Sequence, residues 1–152
     1  MAQILNSFFP LLLPVLLLFN KIVPSASKVY NIAELGAKSD LRTDSAKPLL
    51  TAWTAACNSG EPSTVVVPEG RFLVSHATFT GPCKSQKITV EINGELIAPT
   101  GYASTAKKGD WMTFNSVNGV SIRGGTINGR GMNLWSCKAK GHHCPAGATV
   151  SL

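Results

Sequence analysis

The sequence predicts an all-β fold, a parallel β-helix, because one short pattern occurs three times along the chain. The copies occupy residues 66–73, 90–97 and 120–127, and a glycine holds the fifth place in each of them. Apolar residues return at every second position on either side of that glycine, which places them on one face of a strand. The glycine allows a tight bend between two strands. A strand, bend and strand unit that recurs in this way is typical of a solenoid.

The spacing of the copies favours a solenoid over the main alternative. The copies begin 24 and 30 residues apart, which suits one coil plus a loop. An ordinary antiparallel sandwich with three similar hairpins is the alternative that the pattern leaves open.

The chain before the repeats predicts a strand, a turn and a helix. Residues 29–35 are expected to form the strand and residues 36–40 the turn, after which Thr43 or Asp44 can cap the helix. Residues 58–60 end it. This helix is predicted to cover the open N-terminal end of the solenoid, with Trp53 in the core. Its apolar residues fall at helical spacing: Ala46, Leu49, Leu50, Trp53, Ala56 and Cys57.

The repeats themselves predict three coils and the start of another strand. A solenoid that stopped there would expose an apolar face and an unpaired strand edge, so we expect the N-terminal coils of a longer β-helix. In chain order the predicted elements are a first coil at 64–74, a further strand at 77–80, a second coil at 88–98, a loop at 99–110, a third coil at 111–129, a polar cysteine-bearing loop from Trp135 onward, and a strand at 150–152.

The first residues are predicted to be a signal peptide. Residues 4–19 are almost entirely apolar, about the length of a signal-peptide core and short for a membrane span. Pro10 and Pro14 weaken a membrane helix, and small residues at 25–27 offer a cleavage site before Lys28. No basic residue precedes the apolar core, and an uncleaved anchor is the alternative. We predict a signal peptide at 1–27, one domain at 28–152, and a secreted protein without membrane association after cleavage.

Composition narrows the class of partner. The 152 residues suit one domain, and the net charge of +6 falls to +5 when the loss of residues 1–27 removes Lys21 and no carboxylate. A positive field favours acidic partners. The longest basic run is Lys107–Lys108, which argues against nucleic acid. No oligomer signal is visible, so a monomer is expected.

All four cysteines follow the predicted cleavage site. An even count in a secreted chain indicates two disulfides, with three possible pairings. The sequence-local choice is Cys57–Cys83 and Cys137–Cys144, which the chain-entropy relation values at about 3 and about 2 kcal/mol. Two histidines precede Cys144, but secretion and the lack of a Cys-x-x-Cys spacing argue against zinc. We predict no metal and no cofactor.

The motif Gly-Gly-Thr-Ile-Asn-Gly-Arg-Gly at residues 124–131, followed by Trp135, resembles the N-terminal part of plant polygalacturonases, glycoside hydrolase family 28. Residues 111–122, 29–31, 36–44 and 66–70 resemble other early elements of that family in the same order. The resemblance implies a right-handed parallel β-helix and the same two disulfides. It also implies inverting hydrolysis of α-1,4-galacturonosyl bonds of pectin (polygalacturonate) in the cell wall.

The catalytic motifs of that family are missing from this sequence. Hydrolysis of a glycosidic bond needs two carboxyl groups, and in the family these lie in Asn-Thr-Asp and Asp-Asp motifs, supported by Gly-His-Gly and Arg-Ile-Lys, all after the point at which this chain ends. Asp40 and Asp44 are explained by capping, Asp110 is expected in a loop, and Glu91 and Glu95 are expected to face solvent. We therefore assign no catalytic residue and no substrate-binding residue.

Two hypotheses of function follow. The first is the N-terminal portion of a secreted polygalacturonase, inactive alone. The second is a non-catalytic, truncated β-helix protein that binds acidic wall polysaccharide. A pectate lyase-type β-helix would need a cluster of calcium-binding aspartates, which the sequence does not contain.

Overall fold

A computed structural model describes residues 27–100, 110–141, 144 and 149–151. Residues 1–26 of the predicted signal peptide, the loop lysines Lys107 and Lys108, and the histidines His142 and His143 lie outside the described residues. The described part contains ten strands and two helices. In chain order they are β1 (Lys28–Asn31), α1 (Ala46–Asn58), β2 (Ser63–Val67), β3 (Arg71–Leu73), β4 (Ala77–Thr80), β5 (Ile88–Ile92), β6 (Glu95–Ile97), β7 (Asp110–Asn115), β8 (Val120–Arg123), β9 (Thr126–Asn128), α2 (Met132–Ala139) and β10 (Thr149–Ser151).

The strands form three sheets, and the chain visits these sheets in turn. The first sheet has the order β1-β2-β5-β8, the second β3-β6-β9 and the third β4-β7-β10. Every pairing between neighbours is parallel. Strands β2 to β4 therefore make a first coil, β5 to β7 a second and β8 to β10 a third. The structure thus has the parallel sheets that the predicted β-helix requires, and it excludes the antiparallel sandwich.

One hydrophobic cluster joins all three sheets to α1. Its inward side chains come from alternate positions of the strands, such as Val65 and Val67 of β2 and Val90 of β5, because successive side chains point to opposite faces. Trp53 of α1 packs edge-on against Phe79 and Phe114, whose own rings stack with centroids 4.4 Å apart. This aromatic group ties the helix to the third sheet.

Helix α1 confirms the predicted helix, with small differences at its ends. It packs against β1, β2 and β4, at the end of the sheets where the chain enters them, as predicted for a cover. The N-terminal cap position is Ser45, whose side chain makes no capping bond. Asp44, one residue earlier, accepts the Ala46 N–H instead. The helix ends at Asn58, and Gly60 follows with a positive φ of 70°, as is common after a helix.

The register differs from the alignment of the three copies by one residue between the first two copies and by two residues between the last two. In the first sheet Val65, not Val66, pairs with Val90, and Ile122, not Val120, pairs with Val90 on the other side. The corner between β2 and β3 contains three residues, and the corner between β5 and β6 contains two. A shift of one residue would turn every side chain to the other face, so the buried face decides the register.

The third coil is less buried than predicted. Val90 and Ile92 are buried as expected, and Val90 pairs with Ile122 of β8, but Val120 is half-buried and Ile122 remains 36% exposed. The reason is position, because β8 and β9 are the last strands of the first two sheets as described. They leave an apolar groove of about 460 Å³ that Phe114, Val117 and Ile122 help to line.

Two further predictions of local structure were wrong. Asp110 was expected to end a loop and residues 111–115 to open the third coil, but residues 110–115 form β7, which pairs with β4 and completes the second coil. The region from Trp135 onward was expected to be a loop, but its first residues belong to the helix α2. Its apolar residues are not confined to one face of the helix, and Leu134 is its one buried residue.

Gly94 supplies a first test, because the corners of adjacent coils touch there. A Cβ at Gly94 would lie 2.3 Å from the Gly70 carbonyl oxygen, whereas a Cβ at Gly129 would meet nothing closer than 3.8 Å. We expect Gly94→Ala to lower the free energy of unfolding by about 1–3 kcal/mol, because backbone atoms must move. Gly129→Ala serves as the control and should change it by less than about 0.5 kcal/mol. Urea unfolding measures both, and equal stability of the two variants would contradict the close approach.

Phe79 supplies a second test, of the aromatic group beneath α1. It is 1% exposed and contacts Trp53 and Phe114. We expect Phe79→Ala to cost about 3–5 kcal/mol of unfolding free energy, as for other large-to-small core changes. The neighbouring Thr80 side chain is exposed, so Thr80→Ala should stay within about 0.5 kcal/mol of the parent. A loss below 1 kcal/mol for Phe79→Ala would show that the helix is not held by this contact.

Candidate functional site

The carboxylate of Asp40 organises the turn before α1. It accepts the N–H groups of Arg42 at 2.8 Å and Thr43 at 2.7 Å, and also the Thr43 hydroxyl. The backbone bond from Thr43, followed by that from Arg42, lowers the pKa of Asp40 from 3.8 to about 2. Asp40 is therefore ionised and stabilises this turn. The sequence analysis had explained it by capping of the helix start instead.

The carboxylate of Asp44 joins the start of α1 to the corner that follows β3. One of its oxygens accepts the N–H groups of Ala46 and Ser75, both at 3.0 Å, and the other accepts the Ser75 hydroxyl. Partial burial by itself would raise the pKa of Asp44, but the bonds from Ser75 and Ala46 outweigh it and the pKa is lowered. Next to it, the hydroxyl of Ser45 is buried and has no hydrogen-bond partner among the described residues.

Asp110 lies in a strand and not in the loop that the sequence suggested. It begins β7 and pairs in register with Thr149 of β10. The pairing of β7 with β4 starts two residues later, at Met112 and Ala77. Asp44, for its part, uses both carboxylate oxygens in hydrogen bonds to Ala46 and Ser75. A general acid needs a pKa near the working pH, and the low pKa of Asp44 does not suit that role.

Glu95 lies in a polar network across the second sheet. Its carboxylate accepts the Arg71 Nε–H at 2.9 Å and the Asn128 Nδ2–H at 2.8 Å. The bond from Asn128, followed by that from Arg71, lowers the pKa of Glu95. The Asn128 side-chain oxygen in turn accepts the Arg130 N–H at 3.0 Å. The prediction that Glu95 faces solvent was therefore only partly right. Asn128, the asparagine of the 124–131 motif, has a structural role because it links Glu95 to the backbone of Arg130.

Glu91 confirms the expectation of an outward side chain. It is exposed on β5 and accepts a long hydrogen bond of 3.3 Å from Asn93. No element brings a second carboxylate into a shared cleft with it in the part of the chain that the structure describes. The structure thus places Asp40, Asp44 and Glu95 in hydrogen-bonded positions and Glu91 at the surface.

The three tryptophans have different environments. Trp53 and Trp111 are buried, and their indole N–H groups donate to the carbonyls of Thr80 and Val74. The prediction of a core role for Trp53 is confirmed. Trp135 on α2 is 67% exposed, and the Lys138 ammonium lies 5.2 Å from its ring centroid. Sequence reasoning missed this pair, although Trp and Lys three residues apart are neighbours once the segment is a helix.

Two disulfides pin these segments, with the pairings predicted from the sequence. Cys57–Cys83 joins the end of α1 to the segment after β4, and Cys137–Cys144 fixes α2. Within the described ranges, no three His, Cys, Asp or Glu side chains are grouped so that they could hold a metal ion. Nor does any helix in those ranges have the length and apolar character needed to cross a membrane.

Comparison with known proteins agrees with this architecture. A profile described as glycosyl hydrolases family 28 matches residues 57–149, more than half of the chain. The chain is 44% identical over 146 residues to a polygalacturonase of Prunus persica, a match that covers 95% of this chain and 37% of the relative. It is 37% identical over 108 residues to an exopolygalacturonase of Zea mays, a match that covers 70% of this chain and 26% of the relative. It is 42% identical over 130 residues to a polygalacturonase of Gossypium barbadense, and this match covers 84% of the chain and 31% of the relative.

These matches define the class of protein as a glycoside hydrolase. The chain belongs to glycosyl hydrolases family 28. It spans about a third of the length of the curated relatives that it matches.

The hydrogen-bonded carboxylates predict how stability depends on pH. Asp40, Asp44 and Glu95 have lowered pKa values in the folded state, so the stability that they contribute is present above their unfolded pKa values. It is lost as the pH falls through the folded values. We expect the unfolding free energy to decrease as the pH is lowered from about 5 towards 2.

Asp44→Asn isolates one of these groups. The variant should be less stable at pH 7 and should lose less stability than the parent as the pH falls. Glu69→Gln is the matched control, because Glu69 is exposed and makes no hydrogen bond with the described residues. Urea midpoints at several pH values measure this, and identical pH profiles for the parent and Asp44→Asn would contradict the assigned role.

Proposed function

We propose that this chain is the N-terminal part of a secreted polygalacturonase, which hydrolyses α-1,4-galacturonosyl bonds of pectin by an inverting mechanism in the cell wall. The observation that carries the proposal is the family match over residues 57–149, together with relatives named polygalacturonase and exopolygalacturonase. The cyclic order of the three parallel sheets supports a right-handed β-helix as the complete fold.

The proposal includes residues 1–27 as a signal peptide and residues 28–152 as part of one β-helix domain. The apolar stretch at 4–19 supports secretion. Two disulfides in the described chain support it too, because such bonds persist in oxidising compartments. The proposed protein is a monomer whose substrate is polygalacturonate, and the net charge of +6 suits that acidic polymer.

We further propose that this chain is inactive by itself. Inverting chemistry needs a carboxyl group that can act as an acid and a second one that can act as a base, about 6.5–9.5 Å apart. Asp40, Asp44 and Glu95 have lowered pKa values and are held by hydrogen bonds, which favour the ionised form and oppose proton donation. The family's catalytic motifs do not occur in the sequence.

A second candidate function is binding of acidic wall polysaccharide without catalysis. The exposed Trp135 with Lys138 beside it favours this candidate. The two candidates differ in activity, and not in the class of polymer that they contact.

A reducing-sugar assay on polygalacturonate separates them. Folded, monodisperse chain should release no reducing ends above a heat-treated blank, since general acid and base catalysis each contribute about 10²–10⁴-fold and the lowered pKa values of Asp40, Asp44 and Glu95 oppose proton donation. Joining the chain to the remaining part of a full-length relative should restore hydrolysis.

Asp110→Asn is the decisive variant in the same assay. Turnover by the parent chain that disappears in Asp110→Asn would mean that this chain holds an active site and that the proposal of inactivity is wrong. Glu69→Gln again serves as a control, because it removes an exposed carboxylate elsewhere.

A further inference from the structure

The outer face of α2 presents two large apolar side chains to solvent. Met132 is 84% exposed and Trp135 is 67% exposed, and they lie three residues apart, so they share one face of the helix. A single exposed apolar side chain is ordinary. Here two of them stand in one stripe, while Trp53 and Trp111 are at most 3% exposed. Folding of the described chain therefore does not account for the position of Trp135.

Lys138 continues the same stripe by another three residues. Its ammonium lies 5.2 Å from the centroid of the Trp135 ring, within the range of a cation–π contact. Helix α2 contains no acidic residue, and Lys138 makes no ion pair with the described residues. The stripe thus combines an open aromatic surface with a positive charge that no carboxylate of the described chain neutralises.

The stripe is also held in place before any ligand arrives. Leu134 is buried and anchors the helix, and the Cys137–Cys144 disulfide fixes its last turn. Gly131 lets the indole lie close to the helix start, since a Cβ there would come within 3.3 Å of the Trp135 Nε1 atom. A fixed aromatic surface loses little freedom on binding, which favours affinity.

We propose that Met132, Trp135 and Lys138 form a platform that binds one uronate residue of an acidic polysaccharide. The apolar C–H face of the sugar ring stacks on the exposed indole, and the sugar carboxylate accepts a charge-assisted hydrogen bond from the Lys138 ammonium. The net charge of +6 complements such a polymer. The choice of uronate as the sugar class rests on the proposed function, whereas the platform itself rests on the exposed stripe.

Tryptophan fluorescence offers a direct measurement on the full chain. Because Trp53 and Trp111 are buried, a change of emission on titration with oligogalacturonate reports on Trp135. We expect a saturable change that weakens with added salt, because an exposed charge pair is screened. Fully methyl-esterified oligogalacturonate, which lacks the carboxylates, should bind more weakly.

Affinity electrophoresis in gels containing polygalacturonate compares the variants. Trp135→Ala should weaken binding about tenfold. Lys138→Gln should weaken it several-fold and remove most of the salt dependence, whereas Lys140→Gln, which removes an exposed charge outside the stripe, should bind within about twofold of the parent. Circular dichroism melting of each variant shows that the fold is kept.

The outcomes separate this inference from the proposed function. Equal binding by the parent and Trp135→Ala would overturn the platform and leave the proposed polygalacturonase origin untouched. Equal weakening by Lys138→Gln and Lys140→Gln would overturn the role of Lys138. Binding of neutral oligosaccharides with no response to oligogalacturonate would overturn the choice of uronate as the ligand. The reducing-sugar assay on the chain joined to the rest of a full-length relative decides separately whether the proposed function holds.

Discussion

The structure depends on each coil lying directly on the next with its apolar side chains in register. Val65, Val90 and Ile122 occupy one such line in the first sheet, and Phe72, Leu96 and Ile127 occupy another in the second. A single coil has little interior of its own, so its apolar side chains are buried only when the adjacent coils cover them. For that reason the middle coil is buried, α1 covers one end, and Ile122 and Ile127 remain exposed at the other.

The same constraint explains what the polar side chains do. A coil must turn sharply between sheets, and its corner backbone needs hydrogen-bond partners. Asp40 holds the turn before α1, Asp44 ties α1 to the corner at Ser75, and Asn128 links Glu95 to the turn at Arg130. The pKa values of Asp40 and Asp44 are lowered by hydrogen bonds from turn and corner residues, and that of Glu95 by hydrogen bonds from the Asn128 and Arg71 side chains. The use of these carboxylates in folding supports the proposal that they take no part in hydrolysis.

Exposure, rather than residue type, separates the tryptophans. Trp53 and Trp111 each bury the indole and donate its N–H to a backbone carbonyl, so both belong to the scaffold. Trp135 has neither burial nor such a bond within the described chain, and Lys138 is its nearest charged neighbour on the helix. An aromatic ring with a cation beside it is suited to a sugar acid. The proposed platform would therefore lie on a helix that sequence analysis took for a loop.

Sequence alone determined the strand and bend repeats, the helix with Trp53 inward, both disulfide pairings and the family, because each depends on local pattern or ordered motifs. It did not determine the register, since the corners differ in length by one residue and only packing shows which face is buried. It also missed α2, because the apolar residues of this helix do not form one clear face and Leu134 is its one buried residue. The exposure of Ile122 and Trp135 was decided by the tertiary structure alone, because burial depends on what lies across from a side chain and not on the side chain itself.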